Sequence, residues 1–296
     1  MFHGSIVALV TPMDERGRID FAAVQRLVTF HLDAGSDGLV VAGTTGESAM
    51  LSVDEFASLV EAVAGAVGRR IPVLAGTGSA STASAVERTR LACELGVDGV
   101  LVVTPYYVRP MQSGLAAHYE AVADASRVPV VLYNVPSRTA VDLQPETVER
   151  LVRRDEIVAI KEAKPDLARI GDLVARCAGH ASVLSGDDGT CLAALREGAE
   201  GVISVAANAA PAEFARLCAA ARRGDWAAAQ AAFDGLGELI EALGVETNPI
   251  PVKWALHRQG LIGPGIRLPL LPLAEDKRGR VEAAMARLAL ARQTDE

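Results

Sequence analysis

Gly35-Ser36-Asp37-Gly38-Leu39, Gly96-Val97-Asp98-Gly99-Val100 and Gly198-Ala199-Glu200-Gly201-Val202 are three versions of one phrase: glycine, a small residue, an acid, glycine, an aliphatic. The leading glycine suits the left-handed residue that ends a helix, and the turn after it returns the chain to a strand. These phrases open the second, fourth and eighth of eight short aliphatic runs, at 6–10, 38–42, 72–75, 99–103, 129–133, 157–161, 182–185 and 201–205. The runs are dense in Val, Ile and Leu, as parallel strands buried on both faces should be. Segments of 3.6-residue periodicity lie between them, for example 21–34, 53–67, 84–95 and 166–178. Strand and helix alternating eight times, at roughly 25–31 residues per unit, predict an α/β fold of the (β/α)8 TIM-barrel type. A doubly wound open sheet is the competing architecture. It would want a dinucleotide loop, and Gly76-Thr77-Gly78-Ser79-Ala80-Ser81 lacks the last glycine of one. After Gly224 the strand signals stop. Segments 225–243, 251–259 and 276–292 read as helices, so the expected organisation is a catalytic barrel over 1–224 and a C-terminal helical extension over 225–296.

Composition narrows the function. The chain has 296 residues with 29 basic and 37 acidic side chains, a net charge of −8. That balance argues against nucleic acid as a partner, which selects a basic face. Mean hydropathy is +0.24, too high for a disordered chain. No apolar run reaches the ~18 residues of a membrane span, and Met1-Phe2-His3-Gly4-Ser5 lacks the basic start of a signal peptide. A soluble cytoplasmic protein is expected. Cys93, Cys177, Cys191 and Cys218 are far apart and in helical contexts, which predicts buried free thiols and neither a disulfide framework nor a metal site. The five histidines are scattered and read as structural.

In a barrel of this kind the chemistry sits where strands end and loops begin. Those ends carry Gly43-Thr44-Thr45-Gly46-Glu47, Thr104-Pro105-Tyr106-Tyr107, Tyr133-Asn134-Val135-Pro136-Ser137-Arg138, Ile160-Lys161-Glu162 and Gly186-Asp187-Asp188. Three of the chain's four tyrosines and one of its four lysines fall there. Lys161 follows Ile157-Val158-Ala159-Ile160, so its stem leaves a buried strand and its amine enters the barrel mouth. Such a lysine is either half of an ion pair or a desolvated amine free to attack a carbonyl. Tyr133 ends the preceding strand, where a phenol can shuttle protons for an imine or can simply be a core tyrosine. Gly43-Thr44-Thr45-Gly46 offers hydroxyls and N–H groups to a small carboxylate. Asp187-Asp188 reads as a cap on the following helix rather than as a metal pair.

With those motifs the chain resembles the dihydrodipicolinate synthase family of pyruvate-dependent class I aldolases. The resemblance also takes in Gly4-Ser5-Ile6-Val7, Gly201-Val202-Ile203-Ser204-Val205 and Asn248-Pro249-Ile250-Pro251-Val252-Lys253-Trp254-Ala255, and so covers essentially the whole chain. It implies that Lys161 forms an imine with pyruvate and that Tyr133, Thr44 and Tyr107 form a proton relay, Tyr107 reaching into a neighbouring subunit. It implies that Thr45 clamps the pyruvate carboxylate, that Arg138 positions the carboxylate of L-aspartate 4-semialdehyde, and that Gly186 and Ile203 line the pyruvate pocket. It further implies a homotetramer, a dimer of dimers, and no organic cofactor, since the lysine itself is the electron sink.

The sequence departs from lysine-inhibited members of the family where they present His, Asn and Glu to the inhibitor. Here Val53, Phe56, Ala80 and Ser84 stand at those positions, while Ser48, Ala49 and Tyr106 remain. An ammonium has little to pair with there, so weak or absent inhibition by L-lysine is expected. Lys164-Pro165, after the imine-forming motif, is a second departure that bears on loop shape. Two other readings stand beside the synthase: a sister lyase on the same scaffold, which would lack an arginine in the place of Arg138, and a barrel that binds pyruvate without turning it over.

Overall fold

The computed structural model describes residues 2–294, with side chains through residue 289. Eight parallel strands, β1 (Gly4–Ala8), β2 (Gly38–Val41), β3 (Val73–Gly76), β4 (Gly99–Val103), β5 (Val130–Asn134), β6 (Ile157–Glu162), β7 (Ser182–Ser185) and β8 (Gly201–Ser204), pair in sequence order. β8 returns to β1, so the sheet closes into a barrel. The α/β TIM barrel read from the alternation is the architecture observed.

The glycine-acid phrase has a reason beyond the turn. Gly35, Gly96 and Gly198 all hold positive φ, at 79°, 77° and 102°, as a helix-ending glycine should. The acid that follows then stitches its strand to an earlier one. Asp37 accepts the Ser5 N–H at 2.8 Å, and Asp98 accepts the Val73 N–H at 2.9 Å. The Glu200 carbonyl accepts the Gly4 N–H at 2.9 Å and closes the seam between β8 and β1.

The period-2 alternation of the strands sorts side chains into two cores. One parity, including Ile6, Val40, Leu74, Leu101, Val131, Ala159, Leu184 and Ile203, fills the barrel interior. The other packs against the surrounding helices. Phe2 plugs the interior from the N-terminal end, and a Cβ on Gly99 would lie 2.7 Å from its ring. Two of the helices start at side-chain caps written in the sequence. Ser52 and Glu55 form a reciprocal capping box ahead of Val53–Val67, and Asp20 caps Phe21–Asp33.

Three expectations need correction. The segment read as one helix over 225–243 is two, Trp226–Asp234 and Gly237–Leu243. Gly235 and Gly237 interrupt it, each weakening helix continuity, and the break buries Leu236 completely. Cys93 is half-buried, and only Cys177, Cys191 and Cys218 are buried thiols. Asp187 does serve the next helix, accepting both the N–H and the hydroxyl of Thr190, but Asp188 reaches the other way. Its Oδ2 accepts the Val205 and Ala206 N–H groups at 3.1 and 2.8 Å. Among the described residues no group of His, Cys, Asp and Glu is arranged to hold a metal ion, and no helix is long and apolar enough to cross a membrane.

His31 is wholly buried, with neither ring nitrogen hydrogen-bonded, and burial pushes it down to about 3. His118 is pushed down to about 4 by the same cause, although Thr82 reaches its Nδ1. Both folded values lie below that of an unfolded histidine. Their contribution to stability is therefore intact above about pH 6.5 and is lost as pH falls toward the folded values. Between pH 7 and pH 5 His31 should remove about 2 kcal/mol of unfolding free energy. Denaturant titrations of wild type and His31→Leu over that range check this, and equal pH slopes in the two would refute it.

Candidate active site

β5 and β6 pair in register, Tyr133 opposite Lys161. Tyr133 shares the inward parity of Val131, and Lys161 that of Ala159, so both side chains enter the barrel at its C-terminal end. The Lys161 Nζ stands over the Tyr133 ring, 4.3 Å from its centroid. Both residues are buried, Lys161 to 4% exposure. Among the described residues no carboxylate forms an ion pair with this amine, although its charge is felt by buried Asp188. Of the two roles open to Lys161 from sequence, the geometry lacks the counter-ion that the first requires.

Gly186 makes room for the lysine. A Cβ there would fall 2.8 Å from Lys161 Cε and 2.8 Å from Ala163 Cβ, tighter than packed atoms allow. The backbone of Gly186 is tied to β6 by its N–H on the Glu162 carbonyl at 2.7 Å. Ile203, from β8, lies fully buried in the same interior cluster as Tyr133.

The strand ends are held from behind. Glu162 has the outward parity and is buried; it accepts Asn134 Nδ2 at 3.0 Å, Arg169 Nε at 2.7 Å and the Lys164 N–H at 2.8 Å. Arg169, buried as well, also pairs with Asp142 at 2.9 Å and donates to the Leu143 carbonyl. Desolvation raises the Glu162 carboxyl, against the opposing pull of Arg169. This network fastens the residue after Tyr133 to the residue after Lys161. Lys164, the departure in the loop, is salt-bridged to Asp142 and Asp166 at its edge.

The loop after β2 supplies the second wall. Ala42 and Glu47 are non-glycine residues in left-handed backbone, φ 52° and 58°, on either side of Gly43-Thr44-Thr45-Gly46. Such strain persists where the surroundings over-determine it, commonly at binding sites. The turn is closed by the Gly46 N–H on the Gly43 carbonyl and the Glu47 N–H on the Thr44 carbonyl, both at 3.1 Å. The N–H groups of Thr44 and Thr45 are left without an acceptor among the described residues, a ready cradle for an anion. Gly76, beside this loop, is a packing glycine: a Cβ there would meet the Ala42 carbonyl at 2.2 Å.

A cleft of ≈ 280 Å³ opens above, lined among others by Thr44, Tyr106, Val135, Arg138 and Asn248. Arg138 Nη2 donates to the Asn248 carbonyl at 3.1 Å, and Asn248 Nδ2 donates to Thr45 Oγ1 at 3.0 Å. The extension thus roofs the site, a role the sequence reading did not assign to it. Tyr107 is the exception among the expected residues. It is 90% exposed with φ 73°, and within one chain it is not brought to Lys161. The sequence reading passed over Arg169, one arginine among 25, and gave no role to Lys253, which it held only as part of a motif and which forms a buried ion pair with Glu47. The scarcity of lysine was the signal available for the second, because four positions alone resist the chain's preference for arginine.

The model of the dihydrodipicolinate synthetase family matches residues 1–288. The chain belongs to that family. Within it, the chain is 52% identical over 286 residues to 4-hydroxy-tetrahydrodipicolinate synthase of Thioalkalivibrio sulfidiphilus, covering 97% of each chain. It is 51% identical to the enzyme of that name from Pseudomonas aeruginosa, over 91% of this chain and 92% of that one. Among solved structures, the chloride-inhibited dihydrodipicolinate synthase from Acinetobacter baumannii, complexed with pyruvate, superposes with a TM-score of 0.96 at 44% identity. The match covers 98% of this chain and 99% of the other. The family expected from the sequence motifs is the family found.

Proposed function

We propose that this dihydrodipicolinate synthetase family member is a 4-hydroxy-tetrahydrodipicolinate synthase, a Schiff-base lyase that condenses pyruvate with L-aspartate 4-semialdehyde on the route to diaminopimelate and lysine. The observation that carries the mechanism is the unpaired, buried Lys161 amine set against Tyr133 on paired strand ends. In the reaction the amine adds to C2 of pyruvate and water leaves, giving a protonated imine. That cation withdraws electrons, a C3 proton is lost, and the resulting enamine attacks the aldehyde carbon of the second substrate. The amine of the semialdehyde then adds to the imine carbon, closes the ring and releases Lys161.

Each step needs a proton moved, and the Tyr133 phenol, with Thr44, is assigned that work. Tyr107, turned outward on its own chain, is assigned to the relay of a neighbouring subunit, which accords with a homotetramer built as a dimer of dimers. Thr45 and the free N–H groups of its turn receive the pyruvate carboxylate, beside Gly186 and Ile203. Arg138 at the cleft receives the carboxylate of the semialdehyde and so favours an acidic aldehyde over a neutral sugar. No organic cofactor and no metal enter this scheme. Segments 1–224 and 225–296 act as barrel and roof of one catalytic unit, and the cytoplasm is the compartment this metabolism implies.

The test is turnover of pyruvate with L-aspartate 4-semialdehyde in a coupled reductase assay, where activity is expected. A silent enzyme that still gives a borohydride-trapped pyruvate adduct would mean a different aldehyde, and no adduct would leave a binding protein. L-lysine at 1 mM, about the scale of a weak metabolite complex, should leave the rate nearly unchanged. Phe56 is fully buried and Val53 offers only a methyl surface, so neither presents a polar group to an ammonium. Strong inhibition, relieved by substitution at Tyr106, would overturn this part.

A further inference from the structure

The mechanism leaves unused a buried ion pair between the loop after β2 and the C-terminal extension. The Lys253 Nζ donates to Glu47 Oε1; the side chains are 5% and 0% exposed. The other Glu47 oxygen accepts the Arg267 N–H at 3.1 Å. Arg267 then clasps the same loop from outside, donating to the Met50 carbonyl at 2.8 Å and pairing with Glu55, and reaches the loop after β1 through the Gly17 carbonyl at 2.8 Å.

Stability alone is a poor reason for such a pair. Desolvation costs both charges heavily, and well-packed apolar residues in their place are commonly neutral or better. What an ion pair adds is direction: one donor, one acceptor, one distance. The positions it joins are informative. Glu47 directly follows the Gly43–Gly46 turn and itself holds left-handed backbone. Glu47 is tied straight back to that turn by its N–H on the Thr44 carbonyl at 3.1 Å, and Gly46 between them is closely packed, since a Cβ there would sit 3.1 Å from the Leu9 carbonyl and 3.2 Å from Ala42. Movement of Glu47 must therefore reach Thr44 and Thr45. Lys253 lies in the first turn of helix Ile250–Arg258, its N–H on the Pro249 carbonyl at 2.9 Å. Asn248 lies two residues before that helix and touches both Thr45 and Arg138.

We propose that Glu47 and Lys253 are positioning residues for the acid substrate, their buried pair fixing the extension to the loop so that the Thr44-Thr45 turn is held against Asn248, and Thr44, Asn248 and Arg138 converge on one cleft. The inference rests on the pyruvate-imine reading above. It concerns where the carboxylate donors stand, so loss of the pair should weaken the binding of pyruvate while sparing the chemistry at Lys161.

Borohydride trapping of the pyruvate imine, followed by mass spectrometry against pyruvate concentration, reads the two effects separately. Lys253→Met should raise the pyruvate concentration for half-maximal trapping by about tenfold, the loss of one well-placed charge-assisted contact. The trapping rate at saturation should stay within about threefold of wild type. Because Lys253→Met leaves Glu47 buried without its partner, the neutral double variant Glu47→Gln/Lys253→Met is assayed beside it, with thermal melts of each. A folded double variant with the same raised half-saturation supports a positioning role. One with wild-type half-saturation overturns it, since the pair would then serve the fold alone. Should the double variant fail to fold, Asn248→Ala, which leaves the pair intact, decides: a shift in the same direction supports the coupling and an unchanged curve overturns it. Wild-type protein that forms no adduct would instead remove the imine reading, an outcome distinct from any change among the variants.

Discussion

Lys161→Ala should lower turnover of pyruvate and L-aspartate 4-semialdehyde by at least about 10⁴-fold, because no other amine stands where an imine could form. Among the remaining lysines, Lys164 is salt-bridged at the loop edge, Lys253 is paired with Glu47, and Lys277 is paired with Glu246. The effect on stability should be of a different order. Lys161 is a buried amine with no ion-pairing carboxylate among the described residues, so the cost of its burial is offset only by the Tyr133 ring and the more distant Asp188. Its removal loses packed methylenes and relieves that cost, so the melting temperature should move by only a few degrees in either direction. Activity lost with the fold intact is the signature of a functional amine. Near-normal turnover in the variant would sink the imine mechanism. A variant that loses activity only through unfolding would assign Lys161 to structure instead.

Tyr133→Phe is expected to cost about 10²–10³ in turnover, the range of a positioned proton-transfer group. The substitution is well controlled by the geometry. The ring that supports the Lys161 amine at 4.3 Å is kept, as is its place in the interior cluster, and only the hydroxyl is lost. Stability and the concentration dependence on pyruvate should therefore change little, while imine formation, followed by borohydride trapping at saturating pyruvate, slows with turnover. Full activity in the variant would move the proton transfers to Thr44 or to water and leave Tyr133 as a packing residue.

The barrel was legible because its signals are local and repeated. A glycine before an acid before a strand is a statement about five residues, and each strand announces itself by its own aliphatic run. Lys161 and Tyr133 were legible for a related reason: each terminates such a run, so its depth and direction follow from the strand. What stayed hidden depends on contacts distant in sequence. Nothing near Arg169 says that its guanidinium turns inward to Glu162 and Asp142, and the partner of Lys253 lies 206 residues away. The break at Gly235 was available locally, since two glycines within three residues weaken any helix, and the apolar content of 225–243 masked it. Tyr107 shows a different limit. Its residue type and place in the motif were readable, but the surface it turns toward belongs to another copy of the chain under the proposed assembly.

The stitches made by Asp37 and Asp98 lie at the ends where strands begin, opposite the amine and the cleft. The stitches that join strand to strand at the base are therefore separate from the residues proposed to select the substrate at the mouth. A lineage could exchange the loop that bears Arg138, or the roof that bears Asn248, and test new acceptor aldehydes without disturbing how the barrel closes. The same separation serves an engineer: libraries confined to the mouth sample chemistry, and substitutions confined to the base adjust robustness.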